Sequence, residues 1–191
     1  MLNVNKLSFS FDDGEKVVSN LSLTAGKGER ICLSAPSGDV KTTVLKLIAG
    51  LLTPESGKIE TNGKIGMAFQ SDALFPWQTA LENVKNVCDE KTAVYWLDAF
   101  GLGSDLQKKP EELSGGMRRR VSLARAVGFE PDILLLDEPF NGLDDELKRK
   151  IMKLIAEHFS SRLIVFTTHD KTEQDLFSTR VIELSQNTGC G

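Results

Sequence analysis

Asp137 and Glu138 stand side by side at the end of an apolar run, Ile133-Leu134-Leu135-Leu136. Pro131-Asp132 before the run and Pro139 after it mark its limits, and it reads as a strand buried on both faces of a parallel sheet. Adjacent strand residues point to opposite sides. Two neighbouring carboxylates can therefore take two jobs, one holding a metal ion and the other facing a water. Parallel sheets bind ligands at the C-terminal edge of their strands. Gln70 follows Met67-Ala68-Phe69 at that same predicted edge, and His169 follows the apolar run 162–166 and two threonines. Each alone is ordinary: solvated acids, a surface amide, a structural histidine. Three ligand-type positions at one edge read as a site.

A second constellation is Ser34-Ala35-Pro36-Ser37-Gly38-Asp39-Val40-Lys41-Thr42-Thr43. It lies between a predicted strand at 30–33 and a helix with Val44, Leu45, Leu47, Ile48, Leu51 and Leu52 on its apolar face, stopped by Thr53-Pro54. Strand, tight loop and helix in this order match a phosphate-binding loop. Loop amides and the helix N-terminus offer positive partial charge to phosphate oxygens. Lys41 would reach the β- and γ-phosphates and Thr42 would help hold Mg²⁺. The pattern G-x-x-x-x-G-K-S/T is broken at Ala35 and Val40. A β-branched residue before the lysine is stiff, and a glycine-only conformation there would cost about 1–3 kcal/mol. A Val40 side chain facing the nucleotide would crowd it, and Asp39 adds negative charge beside a polyanion.

Ser114-Gly115-Gly116 opens a helix containing Val121, Leu123, Ala124 and Val127. It reads either as a second phosphate seat or as a plain N-cap by Ser114. Arg118-Arg119-Arg120 point in different directions on that helix and read as a solvated or salt-bridged turn. Phe11 reads as a rim packing residue or as a platform for an adenine ring. Leu74-Phe75-Pro76-Trp77 is an apolar patch, tucked under its own helices or offered to a partner.

The elements that must position these groups follow from the same pass. Residues 4–11 and 17–23 alternate as antiparallel strands joined by the turn Asp12-Asp13-Gly14. Turn signals around Ile59 and Ile65 suggest a short hairpin between Gly57 and Gly66. Thr79 to Phe100 is mostly helical, Asp144 caps a helix running to about Phe159, and a last helix and strand follow before a loose tail from Ser185. At 191 residues, with 40% hydrophobic and 26% charged residues, the chain suits one compact soluble domain. The net charge of −4 argues against a nucleic-acid surface. No apolar run is long enough to span a bilayer, and the start lacks the apolar core of a signal peptide. Cys32, Cys88 and Cys190 are scattered, which suggests reduced thiols rather than a zinc site or a disulfide framework.

Together these segments resemble the nucleotide-binding subunit of an ABC transporter over nearly the whole chain. Leu113 to Met117 is similar to the family's signature motif, Leu134 to Glu138 to Walker B, and Asn141 to Asp144 to the D-loop. His169 matches the H-loop, Gln70 the Q-loop, Phe11 the A-loop aromatic, and Ala35 to Thr42 Walker A. Gln70 to Trp77 and Asp137 to Phe140 look most like the importers of nitrate, sulfonate, taurine and bicarbonate.

The resemblance implies a P-loop α/β fold with a mostly parallel core sheet, an N-terminal antiparallel β subdomain and a small helical insert at about 71–125, in a single domain 1–191. It implies ATP and Mg²⁺ as ligands, with Phe11, Pro36, Ser37, Gly38, Asp39, Val40, Lys41, Thr42, Thr43, Ser114, Gly115 and Gly116 at the nucleotide. Thr42, Gln70 and Asp137 would surround the metal, Glu138 would be the general base, and His169 and Gln70 would complete the catalytic set. A homodimer would sandwich ATP, with Asp144 in the D-loop. A membrane permease would dock at Gln70–Trp77, a substrate-binding protein would sit one step further away, and the chain would lie on the inner face of the membrane. Three functions follow to be separated: a working import ATPase, a non-catalytic interaction subunit weakened by Ala35, Asp39 and Val40, and a soluble ATPase of the repair or translation type.

Overall fold

The computed structural model describes residues 1–11, 16–35 and 38–184, without the side chains of 38 and 39. The Asp12-Asp13-Gly14 turn, Pro36, Ser37, Cys190 and the tail from Ser185 lie outside the described residues.

Two sheets share the chain. One is antiparallel, in the order β2 (Lys16–Ala25), β1 (Leu2–Ser10), β4 (Ser56–Thr61). The other is parallel, in the order β5 (Ile65–Ala68), β6 (Ile133–Asp137), β7 (Leu163–Thr167), β3 (Arg30–Ser34), β8 (Arg180–Glu183). The expected hairpin between β4 and β5 does not form. β4 pairs with β1 and β5 with β6, so the turn residues between them mark a crossing from one sheet to the other. Gly63, at φ 113, brings the chain against the Asp132 side chain, which accepts from the Lys64 N–H at 2.8 Å. Only glycine adopts that backbone cheaply, and a Cβ would overlap the carboxylate.

The parallel strands are buried on both faces, which explains their continuous apolar runs. Alternation nonetheless sorts their side chains. Leu134, Leu136, Ile164 and Phe166 enter one core with the helices α2 (Ala80–Lys85), α3 (Glu90–Ala99), α4 (Gly115–Gly128) and α5 (Asp145–His158). Ile133, Leu135, Leu163 and Val165 enter a second core, shared with the antiparallel sheet and α1 (Gly38–Ile48). Each fully buried Leu or Ile is worth about 1.5–3 kcal/mol, so these two layers fix the register of the sheet. A one-residue slip would exchange the faces.

The helices start where their caps are. Thr79 and Glu82 form a reciprocal box on α2, and Asp89, Ser114 and Asp144 cap α3, α4 and α5. A short helix α6 (Lys171–Phe177) is capped by Asp170. The stretch expected to be helical from Thr79 to Phe100 is broken into α2 and α3 by the Asp89 cap.

Candidate functional site

By the alternation of β6, Asp137 shares a face with Ile133 and Leu135 and so points towards α1. Its carboxylate is 2% exposed and accepts two hydroxyls, from Thr42 at 2.7 Å and Thr167 at 2.8 Å. Thr167 is its register partner on β7. The same Thr167 hydroxyl accepts the Glu138 N–H at 3.0 Å. One side chain thus orients both members of the carboxylate pair. Thr167 carries no motif of its own and was not singled out from sequence; its position opposite Asp137 depends on strand register.

Glu138 leaves the strand at φ 47. That left-handed conformation costs a non-glycine residue about 1–3 kcal/mol and swings the side chain towards the end of β7. There Glu138 Oε1 lies 2.7 Å from His169 Nε2. Lys41 comes from the first turn of α1 and is 1% exposed, with Nζ at 3.2 Å from His169 Nδ1 and 3.1 Å from Nε2. The His169 ring thus sits between a carboxylate and an ammonium and touches both. Among the described residues Lys41 has no carboxylate within ion-pair distance, so a buried ammonium stands ready for an anion. Beneath it in β3, burial pushes the Cys32 thiol up to about 11, partly offset by the Lys41 charge, leaving it protonated and inert.

Val40 resolves the doubt raised by the loop. It lies within α1 rather than at positive φ, and its side chain is 5% exposed, packed into the second core with Val44. Ala35 also avoids positive φ and packs on that core. Neither substitution carries the strain a glycine-only site would impose. Thr43 is buried in the same turn. Gly38 and Asp39 begin α1, and their side chains lie outside the described set.

The remaining candidates sit elsewhere. Ser114 caps α4 by accepting the Met117 N–H at 3.2 Å, and Ser114 and Gly115 are exposed. Gly116 touches the Asn141–Leu143 turn so closely that a Cβ would meet the Gly142 carbonyl at 2.9 Å. Asp144, at the end of that turn, caps α5. Phe11 is 43% exposed and packs edge-on against Phe9.

Gln70 is exposed, two residues beyond the end of β5, and its side chain bonds to no other described residue. Its backbone carbonyl is held by Arg119, which also donates to Phe69 O at 2.6 Å and faces Asp72. Of the two readings of the arginine triplet, the salt-bridged one holds: Arg118 and Arg119 both face Asp72. Arg118 and Arg120 likewise donate to the carbonyls of Leu113 and Phe100. Phe75 and Trp77 are exposed at 41% and 68%. The buried amide of Asn83 holds Phe75 by both its N–H and its carbonyl, so this tip is rigid rather than tucked away.

A family model described as "ABC transporter" matches residues 18–141. The chain belongs to the ABC transporter family. It is 38% identical to the nitrate import ATP-binding protein NrtD of Synechocystis, over 90% of this chain and 72% of that one. It is 35% identical to the taurine import ATP-binding protein TauB of Roseobacter denitrificans, over 98% of this chain and 79% of that one. Among solved structures it resembles the ATP-binding cassette MJ0796 in a dimeric post-hydrolysis state bound to ADP and Pi. The TM-score is 0.89 at 29% identity, over 97% of this chain and 94% of that one. The P-loop fold with its antiparallel subdomain and helices is that of an ABC cassette. No helix among the described residues is long and apolar enough to cross a membrane.

Proposed function

We propose that this ABC protein is the ATP-binding and ATP-hydrolysing subunit of an importer, driving transport through a separate membrane permease. The observation that carries the reading is the convergence of Lys41, Thr42, Asp137, Glu138 and His169, from three separate segments, through the contacts Lys41–His169, Thr42–Asp137 and His169–Glu138. Lys41, the amides of residues 38–43 and the positive end of α1 bind the phosphates. Phe11 offers the adenine a ring face.

Thr42 and Asp137 are hard oxygen donors 2.7 Å apart, the donor type Mg²⁺ takes together with phosphate and water oxygens. Among the described residues no group of three or more His, Cys, Asp or Glu could hold a metal ion alone, which fits an ion shared with the nucleotide. Thr42, Asp137 and Gln70 would hold Mg²⁺, which would neutralise charge on the phosphates. Glu138 takes a proton from the attacking water, and His169 holds its carboxylate in place. Phosphoryl transfer asks for this kind of positioning and charge stabilisation.

Ser114 and Gly115 are exposed at the start of α4, with the half-buried Gly116 beside them. They complete the γ-phosphate site of a second copy, with the turn leading to Asp144 in the same contact. The tip from Gln70 to Trp77 docks on the permease, which places the chain on the cytoplasmic face of the membrane. A substrate-binding protein outside selects the cargo.

The non-catalytic alternative rested on Ala35, Asp39 and Val40, and loses most of its ground with Val40 helical and facing the core. A titration with ATP tests what remains. The wild type and Val40→Gly should bind within about threefold of each other. A variant more than about tenfold tighter, or roughly 1.4 kcal/mol, would mean that the natural loop is impaired.

A further inference from the structure

Lys148 lies on α5, one turn after Asp144, and its side chain is 14% exposed. Three carboxylates converge on its ammonium: Glu173 at 2.8 Å, Asp170 at 3.3 Å and Asp145 at 3.8 Å. Glu173, on α6, is itself only 6% exposed. Its other oxygen accepts the Thr168 hydroxyl at 2.5 Å. That hydroxyl in turn accepts the Asp170 N–H at 3.0 Å, and Asp170 caps α6 through the Thr172 N–H. Both neighbours of His169 are therefore tied into one network whose single cation comes from a different helix. A cavity of about 190 Å³ is lined by Glu138 and His169 together with Lys148, Glu173, Asn141 and Gly142. The network and the catalytic pair share a boundary.

We propose that Lys148 is a positioning residue for hydrolysis: through the buried Glu173 it fixes the Thr168–Asp170 turn, and so the His169 ring, against Glu138. It also ties that turn to the helix that begins at Asp144, linking the hydrolytic site to the segment that meets the second copy. The inference rests on the reading of Glu138 and His169 as the hydrolytic pair. The charge balance explains the choice of residue. Asp145, Asp170 and Glu173 crowd one region, and without an ammonium among them Glu173 would be a buried carboxylate beside a like charge. The Lys148 ammonium is held above the usual lysine range, first by its hydrogen bond to Glu173, and stays charged at neutral pH.

Steady-state ATP hydrolysis by the full chain separates positioning from mere support of the fold. Lys148→Met is expected to lower kcat about 10–100-fold, the cost of misplacing a catalytic group through its supporting residue, while KM for ATP moves less than about threefold. Lys148→Arg, which keeps the charge and its reach, should recover most of kcat. Lys148→Met with Glu173→Met removes both charges and leaves no buried orphan, so its melting temperature should return towards the wild type while kcat stays low. This double variant decides the matter if the single one does not fold. Recovery of kcat together with stability, or a folded Lys148→Met with wild-type kcat, would overturn the proposal. Glu138→Gln serves as the control. Wild-type hydrolysis that survives that change would instead overturn the underlying assignment of Glu138, and the inference with it.

Discussion

The C-terminal edge of the parallel sheet and the start of α4 are built in opposite ways. At the sheet edge, Lys41 and Asp137 are buried, Thr42 and Thr167 converge on one carboxylate, and Glu138 is held in a left-handed turn. At the start of α4, Ser114 and Gly115 face outward and Ser114 spends its hydroxyl on its own helix. The first region orients its carboxylates within the chain and, among the described residues, leaves the Lys41 ammonium without an acid. The second presents a small-residue surface backed by the turn that runs to Asp144. Under the proposed function, the difference means that one half of the chemistry is assembled by folding and the other half by association.

Substitutions in the two regions should therefore fail differently. The largest effect belongs to Glu138→Gln: loss of the general base should lower the rate of phosphate release about 10²–10⁴-fold with ATP affinity retained. Lys41→Met should next weaken ATP binding about 10–100-fold, as expected for removing a charge-assisted hydrogen bond, read by nucleotide titration of the isolated chain. Gly116→Val should leave that titration unchanged while lowering the hydrolysis rate about tenfold or more. A Gly116 variant that loses ATP affinity as Lys41→Met does would erase the contrast between the regions.

Much of this was legible in the residues because the informative spacing was short. Lys41 and Thr42 follow their strand within a few positions, and the pair Asp137-Glu138 ends an unmistakable apolar run. The structure departs where the deciding partner is distant. The arginine triplet read as solvated or salt-bridged, and it is the second, with Arg118 and Arg119 facing Asp72; that Arg119 also holds carbonyls 49 and 50 positions earlier in the chain no local pattern reveals. The turn signals between β4 and β5 were real, but turn residues do not say whether the two strands join one sheet. Val40 looked damaging because residue type alone fixes neither φ nor the direction of a side chain. Thr167 was missed for the converse reason, since an ordinary threonine acquires its role only through pairing with β6.

A finer prediction concerns pH. Lys148 has its pKa raised, chiefly by Glu173, so its contribution to stability is fully present below the unfolded lysine value and is lost as pH rises through the higher folded one. Asp170 has its pKa lowered, chiefly by the Thr172 N–H, so its contribution is present above the unfolded carboxylate value and is lost as pH falls through the lower folded one. Between about pH 5 and pH 9 both are charged. In the wild type neither group should therefore give the melting temperature a slope across that range. A slope near neutral pH would point to another titrating group in the network.

Association is the step on which the contrast between the two regions depends. Sedimentation of Glu138→Gln with Mg²⁺ and ATP, beside the same protein without nucleotide and beside Glu138→Gln carrying Gly116→Val, tests it most directly. ATP should convert the first into a dimer holding two nucleotides, with the added Gly116 change leaving ATP bound to monomers. A chain that stays monomeric with ATP fully bound, or that dimerises equally well with valine at position 116, would contradict the division of labour between the sheet edge and the start of α4.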